Sequence, residues 1–328
     1  PAQSASNDQQ PTDEQSKEKK ERVYYYVGVN HGHPYWYDVH QGFEYAAEQY
    51  GVKVVKAGPD TYDPKSQAEA LEQTIIKKPD GIITAVFDAS MLPGIKKAMS
   101  EGIPVVVIES TLPNSDALSF VGLDAYASGE DTAEKLIELS GTSGNLVIMG
   151  NWGAANTDQK LAGLKDYLAK NSNWKVIAEL DDKAVTEAAI EAAKSAFNNY
   201  KDMTAIVGLD SSGGPAIGAA MEELSIAPGS VTVVCHDRED TAIEYIEKGY
   251  IQASIIAKSA SMPWLALGIL ENYNNNGGDL IPLSADNIAA GINAVPEFCA
   301  TGSACIDKNN VEFFKRDIMK RFDSKNYE

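Results

Sequence analysis

Aromatic side chains occupy the loop after the first predicted strand, a position where several folds bind ligands. The strand covers Val23–Val29, and the loop that follows it carries His33, Tyr35 and Trp36. A nucleotide-binding fold places close-packed glycines at this point to seat a pyrophosphate. Aromatic rings at the carboxyl end of a buried strand suit the flat apolar face of a small ligand such as a sugar. The residue types therefore favour a sugar-like ligand over a nucleotide.

Acidic side chains follow four later strands of the predicted fold. Apolar runs lead directly to Asp88, Glu109, Asp210 and Asp237. Carboxylates accept hydrogen bonds from hydroxyl groups through up to four lone-pair sites, so these acids suit a ligand that carries many hydroxyls. Capping of the following helix is the alternative role for three of them, Asp88, Asp210 and Asp237.

Other kinds of site find little support in the sequence. The segments rich in serine and glycine lack the nucleophile-elbow pattern and a histidine to pair with, and no phosphate-binding loop is present. His31, His33 and His40 share one region, but no carboxylates stand beside them at metal-ligand spacing. We therefore expect a protein that is not an enzyme and that has neither a metal site nor a cofactor.

Strands and helices must alternate along the chain to position these side chains. Apolar and small residues recur with a helical period in the stretch after Trp36, from Val39 to Tyr50. Continuous apolar strands between helices indicate parallel sheets that are covered on both faces. Seven further strands are predicted at Gly81–Val86, Pro104–Ile108, Asn145–Met149, Trp174–Leu180, Thr204–Val207, Val231–Cys235 and Gln252–Ile256.

The two halves of the chain repeat one pattern. Asn30-His31-Gly32 ends the first strand, and Asn151-Trp152-Gly153 follows the strand at Asn145–Met149. In each half a helix glycine, Gly42 or Gly163, stands twelve positions after the asparagine. The repeat predicts two lobes of similar α/β topology whose strand ends face a common cleft; the alternative is a single large parallel sheet. Ligands of such sheets bind at the carboxyl ends of the strands.

The composition excludes some classes of partner and describes the first segment of the chain. The 328 residues carry a net charge of −19, which argues against nucleic acid and anionic membranes as partners. No apolar run approaches the roughly 18–20 residues of a membrane-spanning helix. Residues Pro1–Arg22 are almost all polar, so we expect a disordered tail. A polar tether of this kind suits an exported protein that is attached to the cell surface.

The three cysteines lie in two different sequence contexts. Cys235 ends a buried strand pattern and is expected to be a small core residue. Cys299 and Cys305 flank a short turn-rich stretch, where a disulfide is expected in an oxidising compartment. Two free thiols or a metal pair are the alternatives.

Several motifs, in order and spacing, resemble the sugar-binding family of extracytoplasmic solute-binding proteins of ABC importers, of the ribose- and galactose-binding type. The resemblance extends over most of Val23–Phe322. Its marks are His33-Pro34-Tyr35-Trp36 with Gly42, Lys78-Pro79-Asp80-Gly81-Ile82-Ile83, Gly102-Ile103-Pro104-Val105-Val106, Val121-Gly122-Leu123-Asp124 with Gly129, Ala216-Ile217-Gly218-Ala219-Ala220, and Gly249-Tyr250-Ile251-Gln252-Ala253-Ser254.

The resemblance implies an α/β fold of two Rossmann-like lobes, each a parallel sheet flanked by helices, that are joined by a hinge of three crossovers. We place the crossovers near Asp124, Ala257–Met262 and Gly291–Ala294. After the tail at 1–22, the N-terminal lobe then comprises 23–124 plus 258–290, and the C-terminal lobe comprises 125–257 plus 291–328. The family closes its lobes around a ligand of monosaccharide size.

The resemblance also assigns roles to residues of the cleft. It implies that Tyr35 and Trp36 stack on a sugar ring and that Asp237 accepts hydrogen bonds from sugar hydroxyls. The candidate binding residues are His33, Tyr35, Trp36, Asp88, Glu109, Trp152, Asn156, Lys160, Asp210, Asp237 and Lys258.

Some positions of the cleft depart from the family pattern. Ribose binders of the family have Asp-Arg where this chain has Glu109-Ser110, a glutamine near Ala257, and an arginine where Lys160 stands. The arginine that forks onto sugar oxygens is therefore absent after the fourth strand. These departures favour a differently hydroxylated or deoxy sugar, a polyol or a non-sugar relative over ribose.

The expected function follows from the resemblance. The chain would act as a monomer outside the cytoplasm, lipid-anchored at the cell surface or free in the periplasm, and deliver its ligand to an ABC permease. The alternative is a sensing module that presents a sugar or a signal like autoinducer-2 to a chemoreceptor or histidine kinase. A repressor core would need a DNA-binding domain, for which Pro1–Arg22 is too short and too polar.

Overall fold

Two six-stranded sheets form the centre of the molecule. The structure is a computed structural model, and it describes residues 21–315 and 325–327. The predicted tail lies outside the described residues except for its last two positions. The strands are β1 (Val23–Val27), β2 (Lys53–Ala57), β3 (Gly81–Thr84), β4 (Val105–Ile108), β5 (Ser119–Gly122), β6 (Asn145–Gly150), β7 (Lys175–Asp181), β8 (Ala205–Gly208), β9 (Thr232–His236), β10 (Ala253–Ala257), β11 (Phe298–Ala300) and β12 (Ser303–Asp307).

Helices cover both sheets. They are α1 (Trp36–Tyr50), α2 (Pro64–Ile76), α3 (Leu92–Ser100), α4 (Ala125–Ser140), α5 (Ala155–Asn171), α6 (Thr186–Asn199), α7 (Gly213–Glu223), α8 (Asp240–Glu247), α9 (Ser261–Asn275) and the short α10 (Ala285–Ala289). Every residue of β3, β4 and β8 is buried, as expected for strands that are covered on both faces. In the described part of the chain, no helix combines the length and hydropathy that a membrane span requires.

The two sheets have matching strand orders. The first runs β11-β5-β4-β3-β1-β2 and the second runs β12-β10-β9-β8-β6-β7. Within both sheets, neighbouring strands run parallel except for β10 and β12, which pair antiparallel. The prediction of two α/β lobes with parallel sheets is therefore confirmed, and the repeat in the sequence corresponds to a repeat in the topology.

The repeated glycines permit equivalent helix contacts in the two lobes. A Cβ atom at Gly42 on α1 would lie 2.2 Å from the carbonyl oxygen of Ala260, just before α9. A Cβ atom at Gly163 on α5 would lie 2.0 Å from the carbonyl oxygen of Tyr126 on α4. Real side chains do not fit at such distances, so the spacing of twelve residues marks where each lobe brings two helices into close contact.

Within residues 21–315, three crossovers connect the lobes. The chain leaves the first lobe between β5 and α4, returns between β10 and α9, and passes to the second sheet again at Thr301–Gly302, between β11 and β12. The third crossover differs from the predicted position near Gly291–Ala294. The reason is that β11 pairs in parallel with β5, and Phe298 stacks on Phe120 at a ring distance of 5.2 Å. Strand β11 therefore belongs to the first lobe, not to the second.

The last described residues also return to the first lobe. The backbone nitrogen of Val54 donates to the carbonyl oxygen of Asn326 at 2.7 Å. The ring of Tyr327 stacks on Phe43 with a centroid distance of 5.7 Å. The assignment of 291–328 to the C-terminal lobe is thus corrected at both of these segments.

The cysteines are free thiols, so the expected disulfide is wrong. Cys299 lies on β11 in the first sheet, whereas Cys305 lies on β12 in the second. The turn between them is a crossover that carries the two residues into separate sheets. Cys235 is fully buried, as expected, and burial raises the pKa of its thiol to about 12.

Candidate ligand-binding site

The carboxyl ends of strands from both sheets meet at one cavity between the lobes. Its volume is about 80 Å³. A cavity needs roughly 10–15 Å³ to admit one water molecule, so this space is large enough to admit a small polar ligand. The first lobe contributes Val29, Asn30, His33, Tyr35, Trp36, Tyr62, Phe87 and Glu109, and the second contributes Asn151, Ala154, Asn156, Thr157, Lys160, Ala184, Asp210, Ser211 and Asp237.

Most of the candidate residues named from the sequence come together in this cavity. Those that line it are His33, Tyr35, Trp36, Glu109, Asn156, Lys160, Asp210 and Asp237.

Three other candidates do not line the cavity. Asp88 is exposed, and its carboxylate accepts a hydrogen bond from the backbone nitrogen of Ser90 at 2.8 Å, which caps a 3-10 helix. Trp152 packs against the core of the second lobe. Lys258 is exposed at the second crossover. The prediction that these three residues line the cavity is therefore corrected. Asp88 caps a helix, Trp152 packs in the core, and Lys258 faces solvent.

Aromatic rings form the wall of the cavity on the first lobe. The Tyr35 and Trp36 rings lie edge to face with centroids 5.1 Å apart, and Trp36 meets Phe87 edge to face at 6.2 Å. Tyr62 extends the wall at 6.3 Å from Phe87. Only 4% of Trp36 is exposed, so this ring also belongs to the core of its lobe. The wall gives a ligand an apolar surface that is held rigid by its own packing.

Two carboxyl groups follow equivalent strands of the two sheets. Glu109 comes directly after β4 and Asp237 directly after β9, each the third strand in the order of its sheet. Both have left-handed backbones, with φ of 66° and 71°. Such a conformation costs a non-glycine residue about 1–3 kcal/mol. Its recurrence at both positions indicates that the cavity requires these side chains to point where they do.

Glu109 is held by the aromatic wall. The hydroxyl of Tyr35 donates a short hydrogen bond to Glu109 Oε2. The hydroxyl of Ser259, at the second crossover, donates in turn to the Tyr35 oxygen at 3.3 Å. Burial raises the pKa of Glu109, and burial together with the nearby Glu109 charge raises the pKa of Tyr35. Tyr35 therefore stays protonated and fixes the carboxylate beside the ligand.

Asp210 organises the second lobe's side of the cavity. One of its oxygens accepts from the backbone nitrogen of Asn151 at 3.0 Å, and the other accepts from Ser212 at 3.0 Å and Gly213 at 3.2 Å. It therefore combines the predicted cap with a place in the cavity lining. Behind it lies Asp182, which is fully buried. Burial, assisted by the charge of Asp210, raises the pKa of Asp182 to about 8.

Lys160 supplies positive charge among the carboxyl groups. Its ammonium group donates to the carbonyl oxygen of Leu209 at 3.1 Å, and only 5% of the residue is exposed. Burial raises the pKa of Asp237 to about 7, whereas Lys160 acts in the opposite direction and Glu109 and Asp210 raise it further. The cavity thus presents both donors and acceptors to a ligand that can hydrogen-bond in both directions.

An ion pair joins the lobes beside the cavity. Arg238 follows Asp237 in the second lobe, and Asp38 lies on α1 in the first. The Nε atom of Arg238 lies 2.9 Å from Asp38 Oδ2, and Nη2 lies 3.4 Å from Oδ1. The pair holds the lobes together in the arrangement that encloses the cavity.

Asn151, which the repeat places on the second lobe's side of the cleft, lines the cavity, and so does its counterpart Asn30. Tyr62, in the run from Gly58 to Gln67, and Phe87 also line it and are not among the candidate residues predicted from the sequence. Ala184 reaches the cavity through a turn in which its own φ is 50°. Among the described residues, no group of three or more histidine, cysteine, aspartate or glutamate side chains could hold a metal ion.

Comparisons with known proteins identify the family and the fold. The model of the periplasmic binding protein domain matches residues 24–277. The xylitol-binding protein of Mycolicibacterium smegmatis is 26% identical over 140 residues, which span 42% of this chain and only 40% of that protein. A solved sugar-binding protein of a sugar ABC transporter from Bacillus halodurans is 26% identical with a TM-score of 0.80, over 89% of this chain and 99% of that one. An arabinose-binding protein from Geobacillus stearothermophilus is 27% identical with a TM-score of 0.77, over 90% and 99%.

Proposed function

The chain belongs to the periplasmic binding protein family, and from this premise we propose that it captures a small sugar or polyol between its lobes and delivers it to an ABC importer. The cavity carries the proposal, because it sets an aromatic wall opposite carboxyl, amide and ammonium groups in a space of about 80 Å³. Relatives named for xylitol and arabinose binding support a ligand of this class.

The polar groups support a ligand with hydroxyls on several carbons. Glu109 and Asp237 approach from opposite lobes, and each can accept hydrogen bonds from hydroxyl groups. Asn156 and Lys160 add groups that donate. A hydroxyl that enters the cavity without a partner loses roughly 1–3 kcal/mol of binding, so the arrangement of these groups selects among sugars.

The role outside the cytoplasm follows from the family, which is of the periplasmic type. We propose further that the protein is a monomer and that it is either lipid-anchored at the cell surface or free in the periplasm. The polar composition of Pro1–Arg22 suits a tether. No catalytic step is part of the proposal.

A thermal-shift screen with calorimetry tests this function. The panel contains L-arabinose, D-xylose, D-ribose, xylitol, D-glucose, D-galactose and myo-inositol. A ligand at a hundred times its Kd adds about 2.7 kcal/mol of stability, which raises the melting temperature of a chain of this size by about 4 °C. Absence of any shift across the panel, and of any heat in calorimetry, would contradict the proposal.

A variant pair ties the binding to the cavity. Glu109→Gln removes a carboxylate from the cavity and should weaken binding of whichever panel sugar binds by about tenfold. Glu101→Gln is the matched control, because Glu101 is exposed at the end of α3 and lies outside the cavity. Equal affinities of the two variants would show that the sugar binds elsewhere.

A sensing module remains the alternative function. It would bind the same ligand in the same way and present it to a chemoreceptor or histidine kinase. Deletion of the gene separates the two: loss of sugar uptake supports transport, whereas normal uptake with a lost response to the sugar supports sensing.

A further inference from the structure

A second and larger cavity adjoins the ligand cavity. It has a volume of about 550 Å³ and is lined by both lobes. The first lobe contributes side chains of the segment 110–120 together with Glu297 and Phe298, residues 123–125 lie at the first crossover, and the second lobe contributes Asn156 and Gln159 of α5. We call this space the side groove.

The side groove and the ligand cavity share two residues. Glu109 and Asn156 line both spaces, one from each lobe. The two spaces therefore adjoin at these side chains. A group attached to a ligand in the first cavity would reach the side groove by passing between Glu109 and Asn156.

An aromatic pair supplies the apolar surface of the groove. The rings of Phe120 and Phe298 stack with a centroid distance of 5.2 Å and an angle of 9° between their planes. Phe298 is 41% exposed, so part of its ring is available for contact. A stacked aromatic face of this kind suits the apolar face of a sugar ring.

Polar groups supply the remaining chemistry of the groove. The hydroxyl of Ser115 is buried and has no hydrogen-bond partner among the described residues. Gln159 and Asn114 carry amides, which can both donate and accept. The carboxylate of Asp124 is already engaged, because it accepts from the backbone nitrogen of Ala127 at 3.0 Å. Glu109 and Glu297 add carboxyl groups that accept hydrogen bonds, and no lysine or arginine is among the described lining residues. The groove therefore favours a group rich in hydroxyls, which donate to these acceptors, over an anionic group.

We propose that the side groove holds the second sugar residue of a disaccharide or glycoside whose first residue occupies the ligand cavity. The inference rests on the proposed function and extends its ligand class beyond free monosaccharides. The volume supports it, since the groove measures about 550 Å³ against about 80 Å³ for the ligand cavity and so has room for a further ring. The ligand cavity alone would hold only one sugar residue.

Calorimetry on the full chain tests the inference with two sets of probes. The monosaccharide set is L-arabinose, D-xylose, D-glucose and D-galactose, and the disaccharide set is xylobiose, arabinobiose, lactose, melibiose and maltose. We expect at least one disaccharide to bind about tenfold more tightly than its component monosaccharide, because it buries additional surface in the groove.

Two tryptophan variants locate the second residue. Gln159→Trp places a large ring in the groove and should remove the disaccharide's tenfold advantage while leaving monosaccharide affinity within about twofold. Ala169→Trp is the control, because this residue is exposed on the same helix and lies outside both cavities. Melting curves of both variants verify that they fold.

The outcomes separate this inference from the proposed function. If monosaccharides bind but disaccharides do not, or if Gln159→Trp leaves disaccharide binding unchanged, the groove is only a gap between the lobes and the inference is wrong. If neither set binds, the proposed function itself fails. Disaccharide binding that is lost in Gln159→Trp and kept in Ala169→Trp supports both the proposed function and the role of the side groove.

Discussion

The ion pair between Asp38 and Arg238 gives a direct test of how the lobes close. Its two members lie in different lobes, so opening of the hinge separates them. Only 15% of the Asp38 side chain and 14% of the Arg238 side chain are exposed, and two nitrogen–oxygen contacts join them. The pair therefore stabilises the closed arrangement and not the open one.

The magnitude follows from the number and burial of these contacts. Exposed ion pairs contribute about 0–1 kcal/mol, and hydrogen bonds to charged groups contribute about 1.5–3 kcal/mol. The largely buried pair, whose hydrogen bond from Nη2 to Oδ1 is 3.4 Å long, lies between these ranges. About 1.4 kcal/mol corresponds to a factor of ten in the equilibrium between the open and closed forms. Ligand binds the closed form, so Arg238→Gln should raise the Kd of the sugar by about tenfold.

A double-mutant cycle with Asp38→Asn isolates the pair from other effects of each substitution. Calorimetry gives the four affinities, and small-angle scattering gives the radius of gyration of each variant. We expect the double variant to bind about as weakly as either single one. Lys165→Gln is the control, since it breaks an exposed pair with Glu179 inside the second lobe. Strictly additive losses across the cycle would refute the role of the pair in closure.

Three further predictions concern stability and the aromatic wall. Because burial raises the pKa of Asp182 from 3.8 to about 8, the folded chain holds a proton that the unfolded chain releases. The free energy of unfolding should therefore fall as the pH rises from about 4 to about 8. In urea titrations at pH 5 and 8, Asp182→Asn should lose less unfolding free energy between the two pH values than the wild type; an equal loss in both proteins would contradict this. Gly42→Ala should lose about 1–3 kcal/mol of stability in urea, because its methyl group meets a backbone oxygen at 2.2 Å; Gly81→Ala, which meets only side-chain atoms at 3.0 Å or more, should lose less. Trp36→Ala should lower both ligand affinity and stability, the latter by about 3–5 kcal/mol, since the ring is a core residue. Tyr35→Phe keeps its ring but leaves the Glu109 carboxyl without its phenol donor, so it should lower affinity and cost about 1–3 kcal/mol of stability, less than Trp36→Ala; a wild-type affinity would contradict the role of the hydroxyl.

The similarity of the two lobes can be predicted because it depends on sequence patterns within short segments. Buried parallel strands appear as continuous apolar runs, and a helix contact as close as the one at Gly42 excludes every larger side chain. The apolar strand and the glycine at the helix contact each involve only a few neighbouring residues. The asparagine and glycine spacings in the sequence therefore indicate the correspondence between the two sheets.

The orientation of strand-end acids is harder to predict. Asp88 and Asp237 both follow a strand and precede a helix, so their sequence contexts look alike. Their backbones differ: Asp88 has φ of −137° and ψ of 149°, and its carboxylate caps the next turn, whereas Asp237 has φ of 71° and its side chain lines the cavity. The direction of each side chain depends on its backbone conformation, which an aspartate in this sequence context does not determine.

A short edge strand accounts for the misplaced third crossover. Strand β11 has only three residues and lies at the edge of the first sheet. It becomes a strand by pairing with β5, which lies far away in the sequence and pairs with β4 on its other side. The stacking of Phe298 on Phe120 is likewise a contact between distant segments. Local sequence patterns carry no information about such pairings.

The distribution of each lobe along the chain determines the order in which the protein can fold during synthesis. The core of the first lobe includes Met262, Leu267 and Leu270 of α9, and its sheet takes β11 from residues 298–300. A nascent chain that ends before α9 thus leaves one face of the first sheet uncovered. Strands β6–β10 of the second sheet are contiguous and complete earlier. We expect the lobe that comes second in sequence to fold first, and pulse-labelled hydrogen exchange should find protection in β6–β10 before β1–β4.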